Sequence, residues 1–229
     1  MLDIFRSRKK KKVFAKAMVA SFPSMLPPPK PLVSYFEWLD KNGLYRNFDN
    51  DGYAYALIGP SQETTSLNIH PCNPEHSRTW SGSDDPEVCN RFAAFCQTGG
   101  DGSCAGLWLD DAGIIQFVHC GSGSGSTMIG VLTNDPVDFL GLLAIGYDEL
   151  CWPSQHAKTP ADVAAEYLEE DDEARYPLPP VALQNWVAST FNVRIPDRAS
   201  EVIRTVSDMD AESSEDPFWL WSRKAQRWQ

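Results

Sequence analysis

SCAGLWLDDAGIIQFVHCGSGSGSTMIGVL, residues 103–132, decides the fold class. Leu107 and Leu109 fall on one face of a strand running from Ser103 to Leu109. Asp110-Asp111-Ala112-Gly113 then reads as a tight turn, and Ile114 to His119 as a second strand. The Gly/Ser run 121–126 reads as a flexible hairpin connection, and Thr127 to Leu132 as a third strand. Three short strands joined by turns predict an antiparallel meander. Asn134-Asp135-Pro136 follows as a helix start, Val137, Leu140, Leu143 and Ala144 line that helix, and Gly146 ends it.

Outward from this centre the pattern changes. On the N-terminal side, Asp85-Pro86-Glu87 has the form of a helix start. The apolar set Val88, Phe92, Ala93, Phe95 and Cys96 then reads as one helical stripe, stopped by Gly99 and Gly100. Residues 71–85, rich in Pro, Ser, Asn and Asp, read as a loop. Gly52 to Ile58 alternates as a strand, with Thr65 to His70 a second short candidate. Val33, Phe36 and Leu39 share a helix face in Val33 to Leu44. Residues 1–31 read as a basic tail, opening on Arg6, Arg8 and Lys9 to Lys12 and ending in Pro27, Pro28, Pro29 and Pro31.

On the C-terminal side, Ala161 to Glu170 and Val181 to Phe191 are predicted helices. Between them lies the carboxylate run Glu169-Glu170-Asp171-Asp172-Glu173. The end, Asp216 to Trp228, carries Phe218, Trp219, Trp221 and Trp228, which suit core packing better than binding.

Composition narrows the function classes. The chain has 229 residues, 42% of them hydrophobic, enough for a sizeable core. Its longest apolar stretch, Phe139 to Gly146, is far short of the roughly 20 residues that span a bilayer, so a soluble, cytoplasmic protein is expected. The net charge is −11 and is divided unevenly. Residues 1–48 hold ten Lys/Arg against three Asp/Glu, and the remainder ten against 28. So acidic a body repels phosphates and is not expected to bind nucleic acid directly; it suits a basic partner, or serves solubility alone. The six cysteines read as small buried hydrophobes in a reducing compartment, with no disulfide framework.

The chemical motifs are weak. The Gly/Ser run lacks the Gly-Lys-Ser/Thr of a phosphate loop, and Met128 stands where a dinucleotide fingerprint needs its third glycine. His119 and Cys120 are adjacent on a strand and so point to opposite faces, against a thiol–imidazole pair. His70, Cys72, His76 and Cys89 match no regular zinc spacing. Asp110-Asp111 and Asp148-Glu149 are carboxylate pairs that nothing in the spacing singles out as acid and base. No catalytic residue, metal or cofactor is expected. The run 169–173, together with Asp84 and Asp85, is the candidate docking surface for a basic protein.

The same stretches carry a family resemblance. Gly99-Gly100-Asp101, the strand Gly106 to Asp110, the turn at Gly113, the strands Ile114 to Val118 and Ile129 to Leu132, and the helix Asp135 to Leu140 resemble the SUKH superfamily. Leu142 to Glu149 is the most family-like segment, and the C-terminal region looks like the tails of some members. The family groups bacterial immunity proteins with a yeast cell-wall regulator. The resemblance implies an α+β fold with a mixed, mostly antiparallel central sheet flanked by helices. On it the chain divides into a tail (1–31), a SUKH-like core (32–155) and an acidic, Trp-containing helical extension packed on the core (156–229). It also implies a non-enzymatic immunity protein that binds a cognate toxin, often a nuclease, and occludes it stoichiometrically. A non-enzymatic regulator or scaffold of similar fold is the alternative, and a hydrolase using Cys120, His119 or a carboxylate pair the third reading.

Overall fold

A computed structural model describes residues 13–47, 54–170 and 176–225. The run Lys9 to Lys12 and the acidic residues Asp171, Asp172 and Glu173 lie outside them. The described strands form one sheet: β1 (Tyr45–Asn47), β2 (Ala54–Leu57), β3 (Asn68–Ile69), β4 (Phe92–Gln97), β5 (Cys104–Leu109), β6 (Ile115–Cys120), β7 (Met128–Thr133) and β8 (Ser207–Asp208). Their order in the sheet is their order in the chain. Every pairing is antiparallel, so the mixture expected from the resemblance is not seen among the described strands. With its helices this is an α+β fold.

The predicted meander is β5–β6–β7, in continuous register from Leu109↔Ile115 to Cys104↔Cys120, and from Cys120↔Ile129 to Phe117↔Thr133 with a register shift between Phe117 and Val118. Helix α5 (Pro136–Ile145) follows as expected: the Asp135 carboxylate accepts from the Val137 N–H at 2.7 Å, and Gly146 ends the helix at φ +103°.

Three expectations are corrected. Residues 92–97 are not the end of a helix. Helix α4 (Pro86–Cys89) is a single turn, and the chain then extends into β4, whose side chains are buried on both faces. A short continuous apolar run fits a buried strand as well as a buried helix, and pairing with β3 and β5 decides it. Residues 71–85 are not only loop. Helix α3 (Pro74–Ser81) starts at Asn73, which accepts from the Glu75 N–H at 3.0 Å, and stops at Gly82 with φ +61°.

The third correction concerns the tail. Helix α1 (Val13–Ser21) buries Phe14, Ala15 and Met18. It packs on α2 (Lys30–Asn42), where the buried Asp40 carboxylate accepts from the N–H groups of Phe14 (3.3 Å) and Ala15 (2.8 Å). Lys16 interrupts the apolar run in sequence but sits on the exposed side of the helix.

The sheet is covered twice. On one face α1, α2, α5 and α7 (Val181–Phe191) pack with Phe95, Leu107 and Phe117; the Phe117 and Phe139 rings stack at 4.5 Å. The terminal helix α8 (Pro217–Ala225) covers the other face with Phe218, Trp219 and Trp221, over Phe92, Trp108, Val118 and Ile129. Phe218 lies within 5.3–5.7 Å of Trp80, Phe92, Trp108 and Trp221, ring to ring.

A Cβ on Gly106 of β5 would meet the Ala93 carbonyl oxygen at 2.6 Å and the Phe92 ring at 2.8 Å. The sheet therefore has room there only for glycine. Removing the anchor of the second layer, Phe218→Ala, is expected to cost about 3–5 kcal/mol. At this chain length that is a fall in Tm of roughly 10 °C, measurable by calorimetry.

Candidate functional site

Strand β8 covers only the start of β7, pairing at Met128↔Asp208 and Ile129↔Ser207. Further along, β7 turns an open edge toward the segment that leads into α8. Such an edge offers unpaired backbone groups and is normally blunted or covered. Here a side chain takes the place of a strand: one Asp216 oxygen accepts from the Val131 N–H at 2.8 Å. Its other oxygen accepts from Phe218 and Trp219, both at 2.9 Å, capping α8. Gly130 is required beneath it, because a Cβ there would lie 2.8 Å from the carboxylate.

Beside this junction runs an open groove of about 940 Å³, walled by β7, the start of α5 and residues 201–217. Asp138, Glu201, Asp208, Glu215 and Asp216 line it, and Arg204 is the basic residue among the described lining residues. Asp138, Asp208 and Glu215 are exposed to solvent. Burial first, then the nearby Asp135 charge, raise the Asp138 carboxyl above its ordinary value, against a Thr133 hydrogen bond and Arg204. Asp208 is held low by hydrogen bonds from the Asp210 N–H and the Thr127 hydroxyl. Chemically, the groove offers clustered acceptor oxygens to a cationic partner.

The residues chosen from sequence are distributed differently. Glu169 is exposed near the end of α6 (Pro160–Glu170). That helix buries Val163 in the first core, whereas Trp80 and Val88, which flank Asp84 and Asp85, pack on the second. Asp84 pairs with Arg78 at 3.3 Å, and Asp85 caps α4 through the Glu87 N–H at 2.9 Å. Among the described residues the two acidic segments are attached to different cores, and Asp171, Asp172 and Glu173 lie outside those residues. Sequence reading missed the groove because its carboxylates come from three separated segments, none of them a run.

The other candidates prove to be engaged within the fold. The Gly/Ser connection is not a loose loop. The Asp101 carboxylate accepts from Ser103 N–H (2.9 Å), Ser103 Oγ (2.9 Å), Ser122 Oγ (2.8 Å) and Ser126 N–H (2.7 Å). Burial raises this carboxyl, but the four bonds outweigh it and hold it below its ordinary value. Asp110 accepts from Ala112 N–H, Ile114 N–H and Gln116 Nε2, while Asp111 pairs with Arg91 at 2.7 Å. Asp148 accepts from Ser66 N–H, and Glu149 from Gly100 N–H and the Trp152 indole. Among the described residues, no three His, Cys, Asp or Glu side chains are placed to hold a metal ion, so His70, Cys72, His76 and Cys89 are not gathered into one. Nor is any described helix long and apolar enough to cross a membrane.

His119 and Cys120 do point apart. His119 Nδ1 meets the Met128 carbonyl at 2.9 Å, which makes that nitrogen the donor and Nε2 the acceptor from Thr98 Oγ1, also at 2.9 Å. Burial depresses its pKa from 6.5 to about 4. No family model, curated protein or solved structure matches the chain.

His119 yields a pH test. Between pH 6.5 and 4 the unfolded chain protonates this imidazole and the folded chain does not. Stability therefore falls as pH drops through that window. The contribution lost is about 3 kcal/mol, since each tenfold change in proton affinity is worth about 1.4 kcal/mol. In denaturant titrations at pH 7 and pH 4, His119→Gln is expected to narrow the difference by about that amount.

Proposed function

We propose that this protein is a cytoplasmic immunity protein that binds a basic toxin domain, a nuclease by the family resemblance, and neutralises it by stoichiometric occlusion. The observation that carries the reading is the groove along the open edge of β7, where the exposed carboxylates Asp138, Asp208 and Glu215 share a wall with one lining arginine, Arg204. A nuclease has to present Lys and Arg to phosphate, and carboxylates fixed on a rigid surface compete for those same groups. The α+β fold, the charge of the body and the family resemblance support it. The groove's wall is built on β7 and on the start of α5, elements held by the core, so little ordering cost opposes binding.

The experiment pairs the chain with toxin domains encoded beside its gene. Co-expression is expected to restore survival, and the purified pair to co-elute on size exclusion. Asp138 and Glu215 serve no capping role, so Asp138→Lys with Glu215→Lys should leave the fold intact. Those changes are expected to weaken the complex at least tenfold at low salt, mostly by slowing association. Glu169→Lys with Glu170→Lys is expected to stay within about twofold of the parent. The reverse ranking moves the interface to the acidic run after α6. Rescue with no complex makes the protein an enzyme that repairs damage. A growth phenotype with no toxin present, and no rescue, makes it a regulator.

A further inference from the structure

The cysteines read from sequence as inert core residues include one pair with a different environment. Cys104 and Cys120 stand directly opposite each other on β5 and β6, on the face covered by α8. Opposed residues in an antiparallel ladder have Cα atoms about 4.5–5.5 Å apart, inside the span a disulfide bridges. Helix α3 brings His76 over the pair, with Nε2 at 3.7 Å from Cys104 Sγ. His76 Nδ1 is buried and has no hydrogen-bond partner among the described residues. An imidazole so placed is a proton acceptor for the thiol.

We propose that Cys104, Cys120 and His76 form a peroxide-reactive dithiol site that closes reversibly into a Cys104–Cys120 disulfide. The proposal is independent of the toxin-binding reading. His76 takes the Cys104 proton, and the neighbouring Cys120 S–H donates to the thiolate. The thiolate sulfur attacks one oxygen of hydrogen peroxide. The O–O bond breaks, and the leaving hydroxide takes the proton held by His76 to become water. Cys120 sulfur then attacks the Cys104 sulfenic acid, the S–O bond breaks, and the hydroxyl leaves as water with the Cys120 proton. Two thiols and one peroxide give one disulfide and two waters, a two-electron exchange. A small dithiol reverses it.

The electrostatics agree with the order of attack. The interaction with Cys120 first, and then the hydrogen bond and charge of His76, lower the Cys104 thiol from its ordinary value, against burial and Asp101. His76 stands beside Cys104, which makes Cys104 the attacking thiol and leaves Cys120, raised by burial, to resolve. Cys96 is raised by burial, and Cys72 and Cys151 are each raised to about 12 chiefly by burial. Cys104 and Cys120 are only 5% and 1% exposed, so the oxidant has to be about the size of water, which peroxide is.

The test uses the intact chain at pH 7, treated with hydrogen peroxide and quenched in denaturant with excess N-ethylmaleimide. Cleavage before aspartate separates the two thiols into peptides 101–109 and 111–134. Mass spectrometry is expected to find these two joined before Cys72, Cys89, Cys96 or Cys151 is consumed, and to find them free again after dithiothreitol. His76→Gln is expected to slow the reaction roughly tenfold or more and to move its pH midpoint up toward the ordinary thiol range. Cys120→Ser should instead leave a Cys104 sulfenic acid that dimedone traps. The groups facing Cys104 in that titration are His76, Cys120 and Asp101. Oxidation of the six thiols in no order, or the same rate in the urea-unfolded chain, overturns the proposal.

Discussion

Strands β4 to β7 carry apolar side chains on both faces, and an antiparallel sheet made that way has to be covered twice. Most of the architecture follows from this constraint. Helices α1, α2, α5 and α7 close one face, and the last helix returns with its aromatic residues to close the other. The dense ring packing about Phe218 is what lets one short helix do so. It also explains why Trp219 and Trp221 belong to the core and not to a partner surface.

Holding two layers on one sheet leaves junctions where backbone N–H groups lack a ladder partner, and the fold fills three of them with aspartate. Asp40 receives the first turn of α1, Asp101 gathers the Gly/Ser connection, and Asp216 joins the open edge of β7 to α8. A carboxylate suits such places because it accepts several bonds at once, and charge-assisted bonds are stronger than neutral ones. Part of the acidic composition is therefore internal scaffolding. The remainder is surface charge, and in the groove beside Asp216 it stays concentrated and exposed.

That concentration is costly for the isolated protein, since like charges repel across a shared groove. At Asp138, burial and the Asp135 charge act against ionisation, while the Thr133 hydrogen bond and Arg204 favour it. Under the proposed function, the charge left exposed there is what a basic partner would meet.

Much of the fold was legible from residues alone. The period-2 strands around Gly113, the Asp135-Pro136 start and Gly146 end of α5, and the helix through Val33, Phe36 and Leu39 are local signals. Each rests on backbone preference and side-chain alternation within a few residues. Phe92 to Cys96 was not legible, because a run buried on both faces has no single periodicity; only its neighbours β3 and β5 make it a strand. Helix α1 was hidden for a related reason: its first N–H groups are satisfied by Asp40, 25 residues away, and not by a cap of its own. The site follows the same division. Composition determined that the body is acidic. Only tertiary structure decided where that charge gathers, and which thiols meet, because Asp138, Glu215, His76 and Cys104 come from distant segments, and proximity in space is a property of packing rather than of order along the chain.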